Sequence, residues 1–294
     1  MMGDRRTGDD AAAPELPVGL ITVSFHSGAV LSEMLRSAAR VQPPLSVVTI
    51  ADNASEDAVR DLAFAAGYGY LALKNRGYGA AVNSASATIP RDVEWLLISN
   101  PDVVLEPDTV TELLKVGVSD LGIASVGPRI FDEDGGIYPS ARAVPSLRVG
   151  IGHALFSGIW PANRWTRAYK LASVGETNEV RDAGWLSGAC LLVRRSAFAE
   201  IGGFDENFFM YFEDVDLGFR LGKAGYRNVY APAARVMHSG GHSTSADSDR
   251  MIEAHHASAR LFVARKYPGP ILAPLRGVIG IGLRLRAALL KRAP

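Results

Sequence analysis

The chain has a single cysteine, Cys190, so no disulfide can form within it, and a reducing compartment is the simplest setting. It lies in the apolar run Ala189-Cys190-Leu191-Leu192-Val193, where an inert, buried thiol is the usual outcome and a nucleophile is not. Net charge is also lacking. The 31 basic and 31 acidic side chains cancel, which removes any global attraction to nucleic acid, and none is expected as a partner. Residues 1–16 have no apolar core of the kind a signal peptide needs, so a disordered tail is expected there. Acidic residues are absent from Ala254 onward, while Arg260, Arg265, Lys266, Arg276, Arg284, Arg286, Lys291 and Arg292 are all basic. Arg276 and Arg284 interrupt the apolar stretch from Pro268 to Pro294, leaving no uncharged run there long enough to span a bilayer.

What is present is an alternation. Val18 to Phe25 is a continuous apolar run with β-branched residues and reads as a buried strand, followed by a helix over Ala29 to Arg40. Leu45 to Ile50 reads as a second strand, with a helical pattern through Ala66. Tyr70 to Leu73 and Glu94 to Ser99 read as a third and a fourth strand. Such alternation predicts an α/β fold with a mostly parallel, mixed sheet and helices on both faces. Ligands of open sheets of this kind bind outside the carboxyl ends of the strands. Polar clusters fall at those ends: Ser24, Asp52-Asn53, Asn75 to Gly77, and Asn100-Pro101-Asp102. Taken alone, Asp52-Asn53 with Ser55 is a helix N-cap signal, and Asn100-Pro101-Asp102 is a turn signal. Gly77-Tyr78-Gly79 lacks the third glycine of a dinucleotide fingerprint and follows the third strand instead of the first, which counts against a Rossmann dehydrogenase. Glycine there still allows close backbone approach to a ligand, and the following helix start suits a phosphate.

A second stretch runs from Phe204 to His242. Phe208-Phe209-Met210-Tyr211-Phe212 precedes Glu213-Asp214-Val215-Asp216, so carboxylates stand against an apolar wall, where each must be paired, coordinated or protonated. Helical spacing from Leu217 to Ala224, with Gly225 as the stop, makes Glu213 to Asp216 a helix start. Asp216 has Arg220 four residues on and is expected to pair with it on an exposed face. Asp214 shares its side with Leu217 and Leu221, has no sequence-local partner, and is expected to face inward.

As an ordered set, Val23-Ser24-Phe25, Asp52-Asn53-Ala54-Ser55, Asn75-Arg76-Gly77-Tyr78-Gly79, Asn100-Pro101-Asp102, Gly188-Ala189-Cys190 and Phe212-Glu213-Asp214-Val215-Asp216 resemble the inverting, family-2-like glycosyltransferases of the GT-A fold, and among them bacterial rhamnosyltransferases. The resemblance covers about residues 17 to 245. It implies Asp52 on the nucleobase, and Ser24, Asn53, Asn75, Gly77 and Asn100 lining the nucleotide pocket. It further implies Asp102 holding a metal on the diphosphate, Asp214 as catalytic base, and His238 as a metal ligand. Glu213 is the second candidate for the base, since a one-residue shift in the helix start exchanges the two. His238 reads equally as a loop cap, and His242 as loop structure. The metal motif has one carboxylate where many relatives have two or three, which fits Mg2+, or Mn2+ if His238 contributes.

The implied sugar donor is dTDP-rhamnose, and the implied acceptor is polyprenyl-diphospho-N-acetylglucosamine, as in an actinobacterial cell-wall linker. Another hexosyl or galactofuranosyl transfer is the alternative within the class, and a catalytically silent nucleotide-sugar-binding scaffold the alternative outside it. Trp185 offers a sugar-facing surface or core packing. The apolar stretch Ile151 to Trp160 and the basic-aromatic block Asn163 to Lys170 suit an acceptor loop or membrane-facing lid. Gly277, Gly280 and Gly282 argue against one long terminal helix. The expected organisation is a tail (1–16), a transferase domain (17–250, with a nucleotide-binding half 17–128 and an acceptor half 129–250) and a basic amphipathic helical segment (251–294). That segment is expected to lie on the inner face of the plasma membrane, on the cytoplasmic side. A homo-oligomer is left open.

Overall fold

A computed structural model describes residues 16–146, 177–239 and 248–290. The expected N-terminal tail through residue 15, the block at Asn163 to Lys170 and His242 lie outside the described residues.

The first half alternates as the sequence suggests. β1 (Val18–Ser24), α1 (Gly28–Ala38), β2 (Val47–Asp52), α2 (Asp57–Ala65), β3 (Gly69–Ala72), α3 (Tyr78–Ser86) and β4 (Trp95–Ser99) follow one another, and β3, β2, β1 and β4 lie side by side in parallel. Strands buried on both faces account for their unbroken apolar character: all of Val18–Ser24 and Trp95–Ser99 is buried. Two apolar layers result. Leu31, Met34 and Leu35 of α1 cover Leu20, Ile50 and Leu97 on one face, while Ala81, Val82 and Ala85 of α3 cover Ile21, Leu96 and Ile98 on the other. Truncating one of these side chains, as in Leu97→Ala, costs about 2–5 kcal/mol.

The second half supplies the antiparallel part of the mixed sheet. After β5 (Val103–Leu105), α4 (Thr109–Gly117) and β6 (Ile123–Phe131), the turn at Asp134 to Gly136 forms as a hairpin into β7 (Ile137–Tyr138). Short strands β8 (Ala141–Arg142), β9 (Arg181–Ala183) and β10 (Trp185–Leu186) follow, and then β11 (Cys190–Arg194), α5 (Arg195–Glu200), α6 (Glu213–Lys223) and β12 (Arg227–His238). β11 inserts antiparallel between β4 and β6, giving the order β3-β2-β1-β4-β11-β6-β12-β5. The sheet is therefore mixed. Its antiparallel insertion carries the turn Ser187-Gly188-Ala189 to the carboxyl end of β4, and β12 carries His238 beside Val103. Cys190 is buried as expected, and burial pushes its thiol up to about 12.

Two helices close the chain, α7 (Ser248–Lys266) and α8 (Ala273–Leu290). The segment is a pair of helices and not one long helix, and α8 itself continues through Gly277, Gly280 and Gly282. Its flanking Val278, Ile279, Ile281 and Leu283 are helix-compatible, and glycine in a helix costs only about 1 kcal/mol each. Among the described residues no helix is long and apolar enough to cross a membrane.

Candidate active site

The carboxyl ends of β1, β2, β3 and β4 form one rim, because Ser24 pairs with Asp52 and Asp52 with Ala72 across the sheet. Ser24 is fully buried, and its hydroxyl has no hydrogen-bond partner among the described residues. Asp52 is equally buried. Its Oδ1 accepts from the Ala54 N–H (3.0 Å), and its Oδ2 accepts from the Glu56 N–H (2.7 Å) and the Tyr70 hydroxyl (3.1 Å). It thus shapes the loop ahead of α2 but does not cap the helix: the N-cap position is Glu56, with no side-chain cap bond, so the N-cap reading of Asp52-Asn53 with Ser55 is not what the structure shows. Asn53 Nδ2 reaches the Gly77 carbonyl at 3.4 Å and ties this loop to the next. In that next loop Asn75 Oδ1 accepts from the Gly77 N–H (3.1 Å), and Gly77 adopts φ +104°. A Cβ there would stand 2.3 Å from the Phe209 carbonyl oxygen, so only glycine fits. The first N–H of α3, on Tyr78, is taken by the same Phe209 carbonyl (3.0 Å) and is not free for a phosphate.

Asn100-Pro101-Asp102 joins β4 to β5. Asp102 Oδ1 is buried and lies 3.1 Å from His238 Nε2 without hydrogen-bond geometry, and no other described group satisfies it. Asn100 Nδ2 stands 3.5 Å from the same nitrogen. A carboxylate oxygen and an imidazole nitrogen left facing one another are a donor set that fits a divalent ion with open positions. No group of three or more His, Cys, Asp or Glu side chains suited to a metal occurs among the described residues, so such an ion would need ligands from a substrate or water.

The acids that follow the aromatic wall differ sharply. Tyr211 and Phe212 both hold positive φ (66° and 65°), a left-handed pair that starts α6 abruptly. Asp214 is half-buried. Its Oδ2 accepts from the Gly188 N–H (3.1 Å) and its Oδ1 from the Val215 N–H (2.8 Å). Burial raises its pKa, while those N–H groups and the charge of Arg142 hold the rise back. Glu213 is buried with no described partner for Oε2. Burial first, and the charge of Asp214 second, push it up to about 8. Asp216 corrects the expectation of an exposed pair: it does bind Arg220 (2.5 Å), but it is 1% exposed, and the guanidinium goes on to the carbonyls of Ile201 and Gly203. The pair sits inside because α6 lays that side on the loop ahead of Phe204. Asp214, expected inward, is the more open of the two.

Sequence reasoning missed several contributors. The Tyr78 hydroxyl donates to the Gly188 carbonyl at 2.9 Å. Arg142 lies over the Trp185 ring at 5.5 Å, while Trp185 is buried and donates Nε1–H to the Ala143 carbonyl, which makes it a packing residue. Ser258 of α7 donates to the Met210 carbonyl (2.8 Å), and His255 meets the rings of Tyr211 and Phe212. None of these had a local signal, since each contact joins segments far apart in the chain. A separate cavity of about 410 Å³, bounded by Val144, Phe219, Lys223 and Arg227, opens at the C-terminal end of α6, the opposite end from Glu213 and Asp214.

Residues 14–255 match the family described as Glycosyltransferase like family 2. The chain belongs to that family. The glycosyltransferase is 42% identical over 292 residues to the N-acetylglucosaminyl-diphospho-decaprenol L-rhamnosyltransferase of Mycobacterium tuberculosis, covering 95% of this chain and 93% of that protein. It is 30% identical to the rhamnosyltransferase WbbL of Escherichia coli, over 68% of this chain and 75% of the relative. Among solved structures, the mannosyltransferase PcManGT of Pyrobaculum calidifontis, in complex with GDP-Man and Mn2+, matches with a TM-score of 0.56 at 18% identity, over 92% of this chain and 70% of that one. GalNAc-T7 with UDP, GalNAc and Mn2+ also matches with a TM-score of 0.56, at 14% identity over 76% and 43%. The glycosyltransferase thus has the α/β fold of these enzymes, with a mixed sheet, as the resemblance to the GT-A group implies.

Proposed function

We propose that this glycosyltransferase transfers L-rhamnose, with inversion, from dTDP-rhamnose to a polyprenyl-diphospho-N-acetylglucosamine on the cytoplasmic face of the plasma membrane. The observation that carries the reading is the end-to-end match to the mycobacterial rhamnosyltransferase, which spans the acceptor-side elements as well as the nucleotide-side ones. In the reaction, the acceptor oxygen bonds to the anomeric carbon as the bond from that carbon to the diphosphate breaks, and the hydroxyl proton leaves to a carboxylate. Asp214 is the better base of the two acids. Two N–H donors and Arg142 favour its ionised form, while Glu213 Oε2 has no described partner and burial raises its pKa without such compensation.

Asp102 and His238 would hold a Mg2+ or Mn2+ ion, which supplies positive charge to the departing diphosphate. Ser24, Asn53, Asn75, Gly77 and Asn100 would line the nucleotide. Asp52, whose oxygens retain lone pairs beyond those the loop uses, would accept from the base. The test is calorimetric titration of dTDP-rhamnose, UDP-galactofuranose, UDP-glucose and GDP-mannose, each with and without Mg2+ or Mn2+. Metal-dependent binding of dTDP-rhamnose alone is expected, and preference for a UDP or GDP sugar overturns the rhamnosyl assignment. Asp214→Asn is expected to abolish turnover and keep sugar-nucleotide binding. Unchanged turnover would refute Asp214 as the base and favour a scaffold.

A further inference from the structure

The turn Ser187-Gly188-Ala189 touches three parts of the site at once. Its Gly188 N–H donates to Asp214 Oδ2, its Ala189 carbonyl accepts from the Asn100 N–H at 2.8 Å, and its Gly188 carbonyl accepts from the Tyr78 hydroxyl at 2.9 Å. Tyr78 is the residue immediately after the Asn75 to Gly77 loop. Its own N–H is fixed on Phe209, and its ring stands edge-on to Phe204 with centroids 6.1 Å apart. Both ends of the tyrosine are therefore anchored, one in the sugar-nucleotide loop and one on the peptide that faces Asp214. Gly188 lies between Asp214 and Tyr78: a Cβ built on it would stand at ordinary contact distance from both, 3.5 Å from Asp214 Cβ and 3.8 Å from the Tyr78 ring.

We infer that Tyr78 is a positioning residue for the transfer, its hydroxyl holding the Gly188 turn so that the Gly188 N–H stays on Asp214 and the base keeps its place relative to the sugar-nucleotide loop. The inference rests on Asp214 being the base. Burial, followed by the charges of Glu213, Asp214 and Asp102, keeps the Tyr78 hydroxyl protonated far above neutral pH, so it serves as a steady donor. Asp214 is faced by Glu213 from its own helix, Tyr78 from α3 and Arg142 from β8. Freeing the Gly188 turn weakens an N–H bond that favours the ionised carboxylate, so Asp214 would bind its proton more tightly.

Tyr78→Phe removes one oxygen and retains the ring. The expected result is a fall in kcat of about 3- to 10-fold with an unchanged KM for the sugar nucleotide. The acid limb of the kcat/KM profile is expected to move to higher pH. A Tyr78→Phe enzyme that matches the parent, or that loses kcat equally at every pH with an unmoved acid limb, overturns the proposal. If instead Asp214→Asn turns over normally, the assignment of the base fails first, and that result is separable from the Tyr78 result.

Discussion

Glu213 and Asp214 are neighbours in sequence with opposite demands on their protons. Glu213 has a folded-state pKa near 8 against 4.5 for a free glutamic acid, because a buried oxygen without a partner disfavours charge. A raised pKa stabilises the fold below the unfolded value, and that contribution is lost as pH rises through the folded one. Stability from this group should therefore decline between about pH 4.5 and 8. Glu213→Gln removes the charging step, so its melting temperature relative to the parent should climb across that window and level off above it. A constant difference from pH 5 to 9 would show that Glu213 is already ionised in the fold. Asp214 shifts in the same direction but is held back by Gly188, Val215 and Arg142, which leaves the two acids with separate duties.

Among the elements, α7 sets the shape of the aromatic wall. Phe262 is 2% exposed and meets Phe212 at 5.7 Å and Phe219 at 5.8 Å, Ser258 holds the Met210 carbonyl, and Arg265 pairs with Asp205. A left-handed pair such as Tyr211-Phe212 costs on the order of 1–3 kcal/mol per residue and persists only where contacts over-determine it. Phe262→Ala should cost about 3–5 kcal/mol in a denaturant melt. It should also lower kcat beyond what the unfolded fraction explains, since the loop before Glu213 relaxes; a loss of stability alone would mean the loop is self-supporting. The elements themselves were largely legible in sequence. Period and apolar runs located β1 to β4 and α6 to within a few residues, because β1, β2 and β4 are buried almost throughout and that helix has a clear start and stop, while the edge strand β3 is half-exposed. The antiparallel β11 was not legible as such, since Cys190 to Arg194 carries no sign of strand direction, and direction is decided by its neighbours. Asp216 was misjudged for the same reason. An i,i+4 partner identifies an ion pair but not the side of the helix that the rest of the chain covers.

At the scale of the whole molecule, charge and apolar surface gather on the C-terminal hairpin. Val278 and Ile281 are 68% and 58% exposed on α8, Ile271 before it is 90% exposed, and Arg284 stands among them with no acidic residue in the helix. Anionic bilayers attract such a surface by about 1 kcal/mol per basic residue, with apolar insertion in addition. The proposed membrane contact is tested by flotation with vesicles containing anionic lipid: the parent is expected to co-float, and replacing Val278 and Ile281 together by Asp is expected to abolish it and leave sugar-nucleotide binding intact; a parent that does not float overturns the contact, and retained flotation of the variant assigns it to another surface. The strand order has a further consequence, for synthesis. β4 has β1 on one side and β11 on the other, so through the translation of residues 100 to 189 its second edge has no partner, although it is among the most apolar strands in the chain. An unpaired apolar edge invites wrong pairing between chains. The nascent chain must keep that edge covered by a chaperone or by transient collapse, and the ribosome's pace over those ninety or so codons becomes a determinant of yield that no contact in the finished enzyme records.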